Sequence, residues 1–217
     1  MTDHPDDPGN RPDARAQGPE DDDGELLRGV AAAMRRLGRH ASMAHIARAA
    51  GLDPRDLYRR FPTPDALLRA LASAYYDRLL AHAEQARQLP PERRLAYFLR
   101  TVGLHLATSH SILPQPFGEL ASPAQRERVY ALTTELLATA REAGAVPDDV
   151  ALADIATVIW GLRGVIATTD GVAPDTWERY LDIALAGLEN PRLTFTRPPM
   201  DAEGLDAVIR KRREESR

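Results

Sequence analysis

Residues 42–68 read SMAHIARAAGLDPRDLYRRFPTPDALL, and this stretch holds three successive helix starts. Ser42 is suited to cap a helix carrying Ile46, Ala47 and Ala50, which Gly51 ends. Asp53 caps the next, with Pro54 at its first position, where a missing N–H costs nothing. Thr63-Pro64 repeats that signal for a longer helix reaching about Arg87. The first two helices are only about two turns long, and helices that short are marginal unless packing holds them. Ile46, Ala47, Ala50, Leu52 and Leu57 supply the packing, Ala47 is small enough for a close crossing, and Gly51 permits a positive φ. Two short helices crossing steeply with a glycine in the turn predict a helix-turn-helix, whose second helix enters the DNA major groove.

Helical punctuation continues on both sides. Upstream, Leu26, Leu27, Val30, Met34 and Leu37 recur at three- and four-residue steps and form one apolar stripe, with Gly38 placed to end it. Downstream of Pro90-Pro91, further helical segments are expected at 92–109, 123–143, 148–168, 174–189 and 201–214. Proline- or glycine-containing breaks separate them, and no 20–50-residue period repeats. The fold class read from this pattern is all-α.

The chain has 217 residues, a net charge of −4 and no cysteine, which excludes disulfides, thiolate metal sites and cysteine nucleophiles. Its charge is unevenly distributed. Residues 1–25 carry nine acids against Arg11 and Arg15, whereas residues 26–62 carry eight arginines against Asp53 and Asp56. A compact basic module therefore follows an acidic leader, and the leader is placed to compete electrostatically for that module. Residues 1–25 lack the apolar core of a signal peptide, and no apolar run is read as approaching a membrane span, so a cytoplasmic, nucleoid-associated protein with no membrane partner is expected. There is no phosphate-binding glycine loop, GxSxG, HExxH or EF-hand pattern, so no enzyme is expected. His105, His110 and Glu119 match no recognised metal spacing, and neither a metal nor a cofactor is expected.

Residues 26–68 resemble the N-terminal domain of TetR-family transcriptional regulators. The resemblance rests on Ser42 opening the second helix, on IARAAGL, and on DLYRRFPTPDALL with its aromatic pair Tyr58 and Phe61. It implies an N-terminal helix-turn-helix three-helix domain followed by a larger helical ligand-binding and dimerisation domain. The expected limits are an acidic disordered tail over 1–23, the DNA-binding domain over 24–70, the effector-binding and dimerisation domain over 71–190, and a C-terminal extension with a short helix over 191–217. The family usually places a lysine at the start of the fourth helix. Here Pro64 stands there beside Asp65, which removes one cation from the phosphate-contacting face.

Site residues follow from the same resemblance. Ser42 and Tyr58 would contact phosphates, with charge from Arg59 or Arg60. Arg55 would read a base edge, since a guanidinium pairs with guanine O6 and N7. Asp56 would either accept from cytosine N4 or orient Arg55. Asp53 is expected as a cap, His45 as an exposed bystander and Phe61 as core. Phe98, Thr101, His105, Phe117, Tyr130, Leu137 and Trp160 are the expected effector pocket, because aromatic and aliphatic walls with a few polar tips suit a small molecule. Segments 148–168 and 174–189 are the expected dimer helices; the first is apolar nearly all round, with Gly161 and Gly164 permitting close approach. Together these predict a homodimeric repressor that binds a pseudo-palindromic double-stranded operator and leaves it when an apolar or aromatic ligand binds. A helical protein-interaction adaptor, or a regulator without an effector, is the alternative.

Overall fold

Proline and short polar side chains punctuate this chain, and the helices start where they stand. The computed structural model describes residues 19–38, 41–110, 112, 113 and 120–214. The described residues form helices α1 (Pro19–Leu37), α2 (Met43–Ala49), α3 (Pro54–Arg60), α4 (Pro64–Ala86), α5 (Pro91–Ser109), α6 (Pro123–Glu142), α7 (Leu152–Thr169), α8 (Thr176–Leu188) and α9 (Ala202–Glu214), with no strand among them. Thr63 Oγ1 accepts from Ala66 N at 3.1 Å to open α4. Ser122 and Gln125 cap α6 reciprocally, each side chain accepting the other's backbone N–H.

Two boundaries differ from the sequence reading. Residues 19–23, expected as disordered tail, form the first turn of α1. Pro19 takes a helix-opening position, and the acids that follow it suit the positive end of the helix dipole. The remainder of that tail, residues 1–18, lies outside the described residues. Helix α7 begins at Leu152, not at 148, because Asp154 serves as its cap: its Oδ2 accepts from Ala151 N at 2.7 Å. Leu193–Thr196 forms no regular element.

Packing joins the two halves. Helix α1 packs on both α2 and α4, and α3 packs on α2, while α5 packs against α4, α6, α7 and α8. One apolar cluster runs from Val30 and Met34 through Ile46, Leu57, Leu67 and Leu71 to Leu99, Leu136, Ile155 and Leu181. The expected boundary at 70/71 is thus a change of neighbours within a continuous core.

Glycine sets one of the closest approaches in that core. A Cβ on Gly103 of α5 would collide with the indole ring of Trp177 on α8, and that residue is 6 % exposed. Gly161 of α7 likewise accommodates the Tyr180 ring. The expected outcome for Gly103→Ala is a loss of about 1–3 kcal/mol through overpacking, read as a lower urea midpoint. Gly187→Ala has open space around it and should be neutral or slightly stabilising in the same measurement.

Candidate nucleic-acid interface and adjoining cleft

The turn between α2 and α3 is built by backbone hydrogen bonds. Leu52 N donates to Ala47 O at 2.9 Å and Gly51 N to Arg48 O at 3.1 Å, a Schellman closure with Gly51 at φ 74°. Asp53 then caps α3, its Oδ1 accepting from Arg55 N at 2.8 Å. Ser42 caps α2 by accepting from His45 N at 3.3 Å, and Arg36 ties α1 to the end of α2 through Ala49 O at 2.7 Å. Helix α3 is anchored by Leu57, which is fully buried, while Phe61 at its C-terminal end is partly buried against the core.

That anchoring leaves the rest of α3 outward. Arg55, Asp56, Tyr58, Arg59 and Arg60 are all exposed, and Ser42 is too, so the structure brings the expected DNA-facing residues onto one module. They are not equivalent. Arg59 pairs with Asp56 at 2.8 Å, so Asp56 neutralises Arg59 instead of orienting Arg55. Arg60 pairs with Asp23, near the start of α1. Arg55 has no acidic partner among the described residues and keeps its guanidinium available. His45 is not buried, as expected of a bystander. Thr63, Pro64 and Asp65 open α4 beside this face with no added cation.

The residues expected to line a pocket are dispersed. Phe98 and Leu137 are buried in the core, and Thr101 is buried with its hydroxyl donating to Tyr97 O at 3.0 Å. Tyr130 is 49 % exposed on α6, and Trp160 is half-buried on α7. Phe117 lies outside the described residues. Of this set only His105 borders the main cleft, which has a volume of about 510 Å³. The cleft is formed instead where α1 crosses α4 and α5. Helix α1 contributes Arg28, Ala31 and Arg35; α4 contributes Leu71, Tyr75, Arg78 and His82. Helix α5 adds Leu104, Thr108 and Ser109 around His105, and Ile112 and Leu113 close one side. The signal for these was present in the sequence. Arg28, Ala31 and Arg35 are spaced three and four apart, as are Leu71, Tyr75, Arg78 and His82, so each set shares one helical face.

His105 stacks edge-on against Tyr75, with ring centroids 5.1 Å apart, and lies 5.3 Å from the His82 ring. Its Nε2 is buried without a hydrogen-bond partner among the described residues. Burial, then the neighbouring His82 and Arg78, lower its pKa from the ordinary 6.5 to about 4. Burial also raises the Tyr75 and Tyr76 hydroxyl pKa values, Tyr75 well above the usual tyrosine range. No group of three His, Cys, Asp or Glu side chains suited to a metal occurs among the described residues.

Residues 90–190 match the TetR-family model described as the C-terminal domain of SbtR-like transcriptional regulators. A TetR transcription regulatory protein from Mycobacterium vanbaalenii is 28 % identical, with a TM-score of 0.53 over 68 % of this chain and 92 % of its own. The chain is thus similar to TetR-family regulators, in sequence over its C-terminal half and in fold over most of its length. A TetR transcriptional regulator from Streptomyces coelicolor shares the fold at TM-score 0.60 and 24 % identity, covering 77 % of this chain and 98 % of its own. PfmR, a TetR-family regulator from Thermus thermophilus, does so at TM-score 0.54 and 22 % identity, over 76 % and 99 %. No curated protein matches the sequence. The family-matched region runs from α5 to α8, and helices α1–α3 precede it.

The depressed His105 pKa gives a pH dependence with a definite sign. Between about 4 and 6.5 the unfolded chain holds a proton on this residue that the folded chain does not. Stability therefore falls as pH drops through 6.5 towards 4, and this contribution levels off below 4. Urea midpoints at pH 7 and pH 5 should differ more for the unsubstituted protein than for His105→Gln.

Proposed function

We propose that this regulator is a homodimeric, sequence-specific repressor, acting on the nucleoid in the cytoplasm, that a small ligand releases from a pseudo-palindromic operator. The observation that carries the DNA-binding part is α3 itself: a helix held by one buried leucine, with Arg55 free of any acidic partner among the described residues and Tyr58 45 % exposed. Arg55 stands in the first turn, where a recognition helix comes closest to base edges, and Tyr58 follows one turn later on the same face. Ser42 and Tyr58 take phosphates, Arg55 takes a base, and Arg59 and Arg60 contribute charge once released from Asp56 and Asp23.

Dimerisation is supported by α7 and α8. Against the expectation from the sequence, α7 is long and apolar enough to cross a membrane by length and composition. Only 22 % of it is buried within the chain, although it packs on α5 and α8. An apolar helix left so open inside a helical bundle fits a subunit interface better than a lipid contact, particularly with Arg163 and Asp154 along it. Ile183 on α8 is 66 % exposed, and Gly164 of α7 has open space where a Cβ would stand. A second copy brought to this face by two-fold symmetry covers both.

Two measurements test this reading. Sedimentation at micromolar concentration should show a dimer for the unsubstituted protein and a monomer for Ile183→Asp, with helicity kept because Ile183 makes little contact within its own chain. On DNA fragments selected from a random pool, Arg55→Ala should lose about 1–3 kcal/mol on the preferred site and relax preference at one base pair per half-site. Tyr58→Phe should weaken selected and scrambled DNA about equally. Unchanged discrimination by Arg55→Ala would overturn the assignment of α3 as the reading helix.

A further inference from the structure

The cleft between α1, α4 and α5 has a one-sided charge. Three arginines and two histidines border it, and among the described residues no carboxylate does. Arg28 has Glu25 at 3.6 Å, an exposed pair of little strength. Arg35 and Arg78 have no acidic partner among the described residues. Like charges gathered around low-dielectric walls repel one another, and an anion placed among them removes that cost.

Depth separates the two kinds of lining. The arginines stand at the mouth, open to solvent. Ala31, Leu71, Tyr75, Ile112 and Leu113 are buried and form an apolar floor. The size is that of a site for a small organic molecule, several times what a bare inorganic anion needs. Ser42, Arg55 and Tyr58 border no part of it, so it is separate from the surface assigned to DNA.

We propose that this junction cleft binds an amphipathic organic carboxylate, with the carboxylate between Arg35 and Arg78 and the hydrocarbon body on the Leu71–Tyr75–Ile112 floor. This deepens the effector-responsive reading above by naming the ligand class and its place, and it rests on that reading for its regulatory consequence. Guanidinium groups hold a carboxylate through paired, charge-assisted hydrogen bonds. The occupant would touch α1, which packs on α2, and α5, which packs on the dimer-facing helices. A ligand spanning them favours one angle between the reading head and the body, and it shifts the DNA-binding equilibrium only so far as it binds that angle better than the other.

Calorimetry on the full-length protein tests the site without DNA, using decanoate, decanol and acetate as probes. Decanoate should bind at least about tenfold more tightly than decanol or acetate, because only it supplies both charge and apolar area. The Arg35→Gln/Arg78→Gln variant, whose substituted side chains stand at the cleft mouth and whose folding circular dichroism would verify, should lose that advantage over decanol. Equal binding of decanoate and decanol, decanoate binding indifferent to the double substitution, or no decanoate binding would each overturn the site. DNA titrations with decanoate-saturated protein then examine the effector reading separately. Decanoate that binds through Arg35 and Arg78 without changing operator affinity supports the site and defeats its role as the release switch.

Discussion

A single unbroken helix, α4, links the N-terminal three-helix head to the body, and the rest of the molecule is arranged around it. At 23 residues it is roughly 35 Å long. Leu67 and Leu71 near its start and Leu79, Leu80 and Ala83 further along all belong to one core cluster, and α4 packs on α1, α5 and α6. Helices α2 and α3 have seven residues each and could not persist in isolation. Their orientation is inherited from α1, on which α2 packs, with α3 packed on α2 in turn. Helix α1 joins this head to α4, and the cationic cleft lies where residues of α1, α4 and α5 face one another.

Electrostatics operates locally in this protein. The net charge of −4 conceals arginines with quite different surroundings. Arg87 is held by Glu84 and Glu135, which raises its pKa through hydrogen bonding and joins the end of α4 to α6. Arg59 and Arg60 are covered by Asp56 and Asp23, so any anion must displace a carboxylate to reach them. Arg55, Arg35 and Arg78 carry no such cover among the described residues. Uncovered guanidinium groups thus occur on both the reading helix and the junction cleft.

Fold and reading head were legible because both are written locally. Ser42, Asp53, Thr63 and Ser122 mark helix starts by chemistry that acts within three residues, and all four serve as caps. Gly51 marks the turn for the same reason. The cleft was less legible because its walls come from three helices separated in sequence, and which faces meet depends on packing across the core. Aromatic residues on the later helices stand out in the sequence, yet Phe98 is core and Tyr130 faces solvent. The better clue was arginine interrupting an apolar stripe, as Arg78 does between Tyr75 and His82. The sequence reading starts α1 too late because a run of acids resembles a solvated tail, although the same run suits a helix N-terminus.

The seating of Trp177 against Gly103 also gives the protein two distinguishable optical reporters. The chain has two tryptophans. Trp177 is enclosed between α8 and α5, so its indole has the dry, fixed surroundings of the core. Trp160 is half-buried on the open apolar helix α7. Replacing one at a time with phenylalanine leaves a chain whose emission comes from a single locality. Emission from Trp177 then follows loosening of the bundle, and emission from Trp160 follows solvent access at α7, each without an added label.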